Sequence, residues 1–156
     1  MDAIDRAILE TLQQDARTPN AEIARRVGMA PSATLERIRK LEERGVIGGY
    51  TTVLRPDTLG FGLLAFVFVR ADDGAAADST EEQLARIPEV QEVHHVAGED
   101  CFLVKVRTAS TTALGHLLRD TINRIPTIRA TRTTIVLQTL KETSALPLSV
   151  EEPADA

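Results

Sequence analysis

The sequence predicts an α+β fold for this 156-residue chain: three short helices in the first fifty residues, then strands and helices in the order β-α-β-β-α-β. Three observations carry this. Apolar residues recur at helical spacing as far as Leu41. From Leu63 onward the apolar residues fall instead into short continuous or alternating runs. Between the two regimes, Arg55-Pro56-Asp57 breaks the chain.

In the first helix Ile4, Ile8, Leu9 and Leu12 form one apolar stripe, with Asp2 placed to cap the N-terminus. Thr18-Pro19 reads as an N-cap followed by proline at the first helical position. The second helix is short, with Ile23, Ala24 and Val27 inward, and Gly28 is placed to end it in a left-handed turn. A third helix runs from near Pro31 to before Gly45, with Leu35, Ile38 and Leu41 as its buried stripe; Ala30 offers it no side-chain cap. Its opposite side carries Ser32, Ala33, Glu36, Lys40 and Arg44, flanked by Arg37 and Arg39. A short helix, a glycine-containing turn and a longer helix have helix-turn-helix spacing. A third helix that opens on small residues and then turns basic suits entry into a DNA major groove. The competing reading of these residues alone is a three-helix bundle with a solvated charged face.

Val46 to Leu54 alternates loosely, as a short hinge strand would, and residues 51–62 read as a linker. Leu63 to Val69 is almost continuously apolar, as in a central strand. After a polar loop at residues 71–80, a helix over 80–87 stops at Pro88. Val90 to Ala97 is a less regular strand, Gly98-Glu99-Asp100 a tight turn, and Cys101 to Val106 a clear strand. A helix over 111–124 places Ala113, Leu114, Leu117, Leu118 and Ile122 on one side, and Ile128 to Leu140 is a last long strand. This order is the ferredoxin-like, split βαβ arrangement. Its two helices cover one sheet face, so the other, rich in Phe, Val and Ile, calls for self-association. The expected division is 1–50 for the winged-helix-like helix-turn-helix, 51–62 for the hinge, 63–143 for the ferredoxin-like domain and 144–156 for an acidic, disordered tail.

A net charge of −5 argues at first against a nucleic-acid partner. Residues 1–55, however, hold nine Lys and Arg against eight Asp and Glu, net +1, whereas residues 56–156 hold nine against fifteen, net −6. Where the cations sit therefore decides the matter. No stretch is apolar for the roughly 18–20 residues of a membrane span, the charged N-terminus lacks a signal-peptide core, and the single Cys101 precludes an intrachain disulfide. A cytoplasmic, nucleoid-associated protein is expected.

The chain resembles the Lrp/AsnC family of feast/famine regulators over nearly its full length. The resemblance rests on Ile4-Asp5-Arg6-Ala7-Ile8-Leu9, on Ala21-Glu22-Ile23-Ala24-Arg25-Arg26-Val27-Gly28, and on Arg37-Ile38-Arg39-Lys40-Leu41-Glu42-Glu43-Arg44-Gly45-Val46-Ile47 with Gly49-Tyr50. Ile125-Pro126 and Lys141-Glu142-Thr143 close it. It implies a DNA-binding helix-turn-helix, a ferredoxin-like sensor domain, dimers assembling to octamers, and amino acids or related metabolites as effectors. Carried over by position, Ser32, Ala33, Thr34 and Arg37 would read bases, although the helical period turns Thr34 partly toward the core; Arg25, Arg39 and Lys40 would meet phosphate.

Family effectors sit between subunits near a Gly-x-x-Asp-aromatic turn. Here that stretch is Gly98-Glu99-Asp100-Cys101-Phe102, with Cys in place of the Asp and the acid one residue earlier. Asp100 or Glu99 would meet an amino acid's ammonium, and N–H groups near Gly98 its carboxylate. Val96, Thr131 and Thr133 complete the candidate effector set. His94, His95, Asp100 and Cys101 suggest a metal, but adjacent strand residues point to opposite faces, so none is expected. No cofactor is implied. A catalytic reading lacks a phosphate loop, paired acids or a triad, and a DNA-binding architectural protein that senses nothing is the remaining rival.

Overall fold

The computed structural model describes residues 1–72 and 79–148. The chain divides into two compact units, residues 1–53 with the segment beginning at Glu142, and Leu54–Lys141.

The first unit contains α1 (Ala3–Gln14), α2 (Asn20–Val27) and α3 (Pro31–Glu43). Asp2 caps α1 as expected: its carboxylate accepts from the Asp5 N–H at 2.8 Å, and its own N–H donates to Asp5 Oδ2 at 3.3 Å, a reciprocal capping box. Ile8, Leu9, Ile23, Ile38 and Leu41 form the core, with Ile4, Leu12, Val27, Ile47 and Leu148 packed around them. Gly28 closes α2 at φ +69°, in the left-handed region. Thr18 does not cap α2; its hydroxyl donates to the Asp15 carbonyl, and Pro19 precedes the first turn.

The inward stripe of α3 differs from the predicted one. Thr34, Ile38 and Leu41 are buried, whereas Leu35 is 40% exposed. Spacing of i, i+4, i+7 follows the 3.6-residue period more closely than i, i+3, i+6. The Thr34 hydroxyl is satisfied inside the core by donating to the Ala30 carbonyl at 3.1 Å. Arg37 is held by acids of α1: its Nη1 reaches Asp2 Oδ2 at 2.8 Å and Asp5 Oδ1 at 2.7 Å. The Asp5 N–H bond, and after it Arg37, hold the Asp2 carboxyl below its ordinary value.

The second unit is a four-stranded antiparallel sheet in the order β2-β3-β1-β4, formed by β1 (Leu63–Ala71), β2 (Val90–His95), β3 (Phe102–Thr108) and β4 (Ile128–Ile135). Ala65, Val67 and Val69 of β1 alternate inward beside Val106, Val104 and Phe102 of β3. Leu84 of α4 (Thr80–Ala85), Ile87, Leu114 of α5 (Thr111–His116), Leu117, Ile122 and Ile125 cover that face. The opposite face carries Phe66, Phe68 and Leu103, all half-buried, with Arg70 and Arg132.

Three predicted elements change. The helix expected over 111–124 ends as α-helix at His116 and continues as a π turn over Leu117–Thr121 and a 3₁₀ turn over Ile122–Arg124. Leu117 and Ile122 are both buried and stand five residues apart, the spacing a π turn places on one side. The last strand stops at Ile135 rather than Leu140, because β1 begins at Leu63 and offers no backbone beyond the Val136 N–H to Leu64 carbonyl bond. Residues 46–54 form no strand; Tyr50 instead donates its hydroxyl to Glu42 Oε1 at 2.8 Å. Within the expected disordered tail, residues 144–148 are tied to the first unit, the Leu146 backbone exchanging hydrogen bonds with the Gln13 side chain. The rest of that tail, 149–156, lies outside the described residues.

Ile38→Ala is expected to cost about 2–5 kcal/mol in denaturant unfolding, and Leu35→Ala to stay within about 0.5 kcal/mol of the parent chain. Equal losses would restore the predicted stripe. Arg37→Gln is expected to lower the thermal midpoint. Because the folded Asp2 carboxyl titrates below its ordinary value, its contribution is present above that value and is lost as pH falls through the lowered one. The Arg37→Gln deficit, followed by melting curves, should therefore shrink in acid.

Candidate nucleic-acid interface and effector cleft

The Pro31 start and the buried Thr34-Ile38-Leu41 stripe decide which side chains of α3 face outward. Ser32, Leu35, Glu36, Arg39 and Lys40 are exposed, and Ala33 is half-buried. Ala30 provides no side-chain cap, leaving the first-turn N–H groups of α3 without that partner. Lys40 Nζ lies 3.6 Å from Glu36 Oε1, both well exposed, a pair that solvent keeps weak. On α2, Glu22 gathers two guanidinium groups: Arg25 Nη2 at 2.7 Å and Arg26 Nε at 2.9 Å. Their hydrogen bonds, Arg25 first, hold the Glu22 carboxyl below its ordinary value. The Arg25 side chain remains 76% exposed, open to an incoming phosphate.

Of the residues expected to read bases, one is buried and a second is partly engaged within the fold. Thr34 has no exposed surface, so it cannot touch a base edge. Arg37 turns Nη1 to both Asp2 and Asp5, which makes it a brace between α3 and the start of α1. Sequence reasoning assigned Leu35 to the core. Its exposed side chain instead offers an apolar surface of the kind that meets a thymine methyl group. The signal was available in the helical period, since Thr34 fits the i−4 position from Ile38.

In the second unit, the turn between β2 and β3 is stapled to the end of β1. The Cys101 N–H donates to the Val69 carbonyl at 2.8 Å, and the Val96 N–H donates to the Cys101 carbonyl at 2.9 Å. Cys101 Sγ lies 3.2 Å from the Ala71 carbonyl and 3.4 Å from the Ala71 N–H, so it faces the strand end. Gly98 takes φ +139°, where a side chain would be strained.

Beside this turn lies a cleft of ≈ 300 Å³ lined by Arg70, Glu99, Asp100, Ala130, Thr131 and Arg132. Glu99 and Asp100 of the expected set thus come together, with Thr131 bordering them; Val96, Gly98, Cys101 and Thr133 lie outside the lining. Thr131 and Thr133 pair with Val69 and Val67, so both side chains take the helix-covered face, where the Thr131 hydroxyl donates to Asn123 Oδ1 at 3.3 Å. Arg70 and Arg132 were missed, for a non-local reason: β1 and β4 pair Phe68 with Arg132 and Arg70 with Ala130, which sets both arginines on the uncovered face. Arg132 lies 3.9 Å over the Phe68 ring and bonds Asp100 Oδ2 at 3.1 Å. Arg70 meets the Glu99 carbonyl at 3.2 Å and its carboxylate at 3.4 Å. Among the described residues no group of three His, Cys, Asp or Glu gathers for a metal ion, and no helix is long and apolar enough to cross a membrane.

Comparison with known proteins matches residues 1–42 to the AsnC-type helix-turn-helix domain and residues 64–146 to the Lrp/AsnC ligand binding domain. The HTH-type transcriptional regulator FL11 of Pyrococcus horikoshii is 40% identical over 148 residues, 95% of this chain and 97% of that protein. A Neisseria meningitidis transcriptional regulator, solved with L-methionine, superposes with a TM-score of 0.87 at 29% identity, covering 96% of this chain and 97% of the other. The feast or famine regulatory protein Rv3291c of M. tuberculosis, also complexed with L-methionine, gives 0.85 at 37% identity, with 93% and 97% covered. These relatives are regulators of transcription rather than enzymes, and the chain belongs to the Lrp/AsnC family of transcriptional regulators.

Proposed function

We propose that this regulator binds DNA sequence-specifically through α3, and that a small metabolite, an amino acid, modulates its homo-oligomer. The observation that carries the first part is the outward row of α3: Ser32 and Ala33 in the first turn, Leu35 beside them, then Arg39 and Lys40. Small residues admit the helix into the major groove, Leu35 and Ser32 meet base edges, and Arg25, Arg39 and Lys40 meet phosphates. Arg37, braced by Asp2 and Asp5, orients the helix instead of reading from it. Working on chromosomal DNA places the protein in the cytoplasm with the nucleoid.

Sensing is supported by the charged cleft at Arg70, Glu99, Asp100 and Arg132, and by the two relatives solved with L-methionine. The turn keeps acids at its tip although Cys101 replaces the family's Asp, and this favours sensing over a purely architectural role. Self-association is supported by the uncovered sheet face with Phe66, Phe68 and Leu103, which would pair with a second copy in a dimer that assembles further to an octamer. The proposed domain division is a helix-turn-helix to residue 50, a hinge over 51–62 and a sensor domain over 63–143; the compact units change over nearby, at Val53–Leu54 and Lys141–Glu142.

Binding to promoter DNA is expected to weaken steeply with salt, with a log–log slope of several units. Lys40→Ala should weaken all sequences alike and reduce that slope by about 1, whereas Leu35→Ala should relax preference at one base pair. A flat salt response in a fluorescence-anisotropy titration would remove α3 from the interface. Light scattering of Phe66→Glu should show at least about tenfold weaker assembly, roughly 1.4 kcal/mol; unchanged assembly would assign the contact to another face. A thermal-shift series with the twenty amino acids should raise the melting temperature for at least one, and no shift from any would favour the architectural reading.

A further inference from the structure

We propose that the cleft at Arg70 and Arg132 takes a dicarboxylic amino acid, L-aspartate or L-glutamate, and not an apolar one. This rests on the sensing role proposed above and narrows its ligand.

The lining decides the chemistry. Among the described residues that form it, four of six are charged, and Ala130 is the sole aliphatic side chain. A leucine or methionine side chain would find little apolar surface to bury there, and burial is what such ligands gain from a pocket. The charges are arranged in a pattern that a second carboxylate completes. Arg70 and Arg132 share one sheet face as diagonal neighbours across β1 and β4, with their strand partners Ala130 and Phe68 between them.

The two acids differ in how firmly they are held. Asp100 is 23% exposed and bonds Arg132 at 3.1 Å, whereas Glu99 is 92% exposed and meets Arg70 at 3.4 Å. Glu99 therefore yields Arg70 to an incoming carboxylate and returns to water at little cost. Arg132, stacked on Phe68 and bonded to Asp100, is oriented before the ligand arrives. The α-carboxylate and side-chain carboxylate then pair with the two guanidinium groups, which favour planar two-oxygen acceptors. The ammonium pairs with Asp100. Each ligand charge meets an opposite one. A monocarboxylate would engage only one of the two arginines, leaving the other to its own acid, and a basic side chain would face two guanidinium groups.

Titration calorimetry on the full chain with L-glutamate, L-aspartate, L-glutamine, L-leucine, L-methionine and L-lysine tests this. An acidic amino acid is expected to bind at least tenfold more tightly than the other four. Arg70→Gln should remove most of that advantage, with circular dichroism checking its fold; if that variant fails to fold, the ranking on the parent chain decides. Tighter binding of leucine, methionine or lysine would overturn the dicarboxylate assignment and leave sensing intact. Glutamine binding as tightly as glutamate would overturn the role given to Arg70. Binding by none of them in calorimetry, with a thermal shift from some other amino acid, would overturn the inference alone; silence from all twenty would remove the sensing role as well.

Discussion

The antiparallel pairing of β1 with both β3 and β4 is the constraint from which the second unit follows. With β1 at the sheet centre, its inward Ala65, Val67 and Val69 are walled by β3 on one side and β4 on the other, and the helices need to cover only one face. The same register decides the other face. Phe66 and Phe68 are left half-buried, and Arg70 is set on the same surface as Arg132. A slip of one residue in β4 would turn Arg132 to the opposite face of the sheet and dissolve the cleft. The site is therefore a product of pairing between strands nearly sixty residues apart in sequence, and its charge pattern has no local signature.

The first unit is governed by a different economy. Three short helices have little surface to bury, so polar contacts at their ends matter in proportion. Asp2 and Asp5 serve twice, capping α1 reciprocally and receiving Arg37 from α3. A cation of α3 thereby ties that helix to the start of α1. In the proposed interface this separates orientation from recognition, with Arg37 bracing α3 and the outward row of α3 assigned to DNA.

Much of the fold was legible. Each of the three N-terminal helices shows its period, and Asp2 and Gly28 stand at the expected ends. Strand order could be read because Leu63 to Val69 and Cys101 to Val106 are nearly unbroken apolar runs bounded by turns. Boundaries were less accessible where a partner decides them. The last strand ends at Ile135 because its neighbour ends, although Leu137 and Leu140 continue the apolar pattern in sequence and stand 99% and 88% exposed. The helix after Thr111 widens into a π turn because Leu117 and Ile122 both seek the core, a choice made by the sheet beneath them.

For the candidate sites, the sequence by itself determined which helix carries the cations and which turn carries the acids. Those features are written in contiguous residues: Arg37 to Arg44 for the helix, Gly98 to Phe102 for the turn. Where each side chain sits was decided by tertiary structure. Thr34 lies in the core, Leu35 outside it, Arg37 is bound to α1, and Cys101 is turned toward Ala71. Two arginines far apart in the chain, Arg70 and Arg132, join Glu99 and Asp100 around one cleft. Periodicity reports the side of an element a residue occupies; the neighbour it meets there depends on long-range register and packing, which no local window of sequence contains.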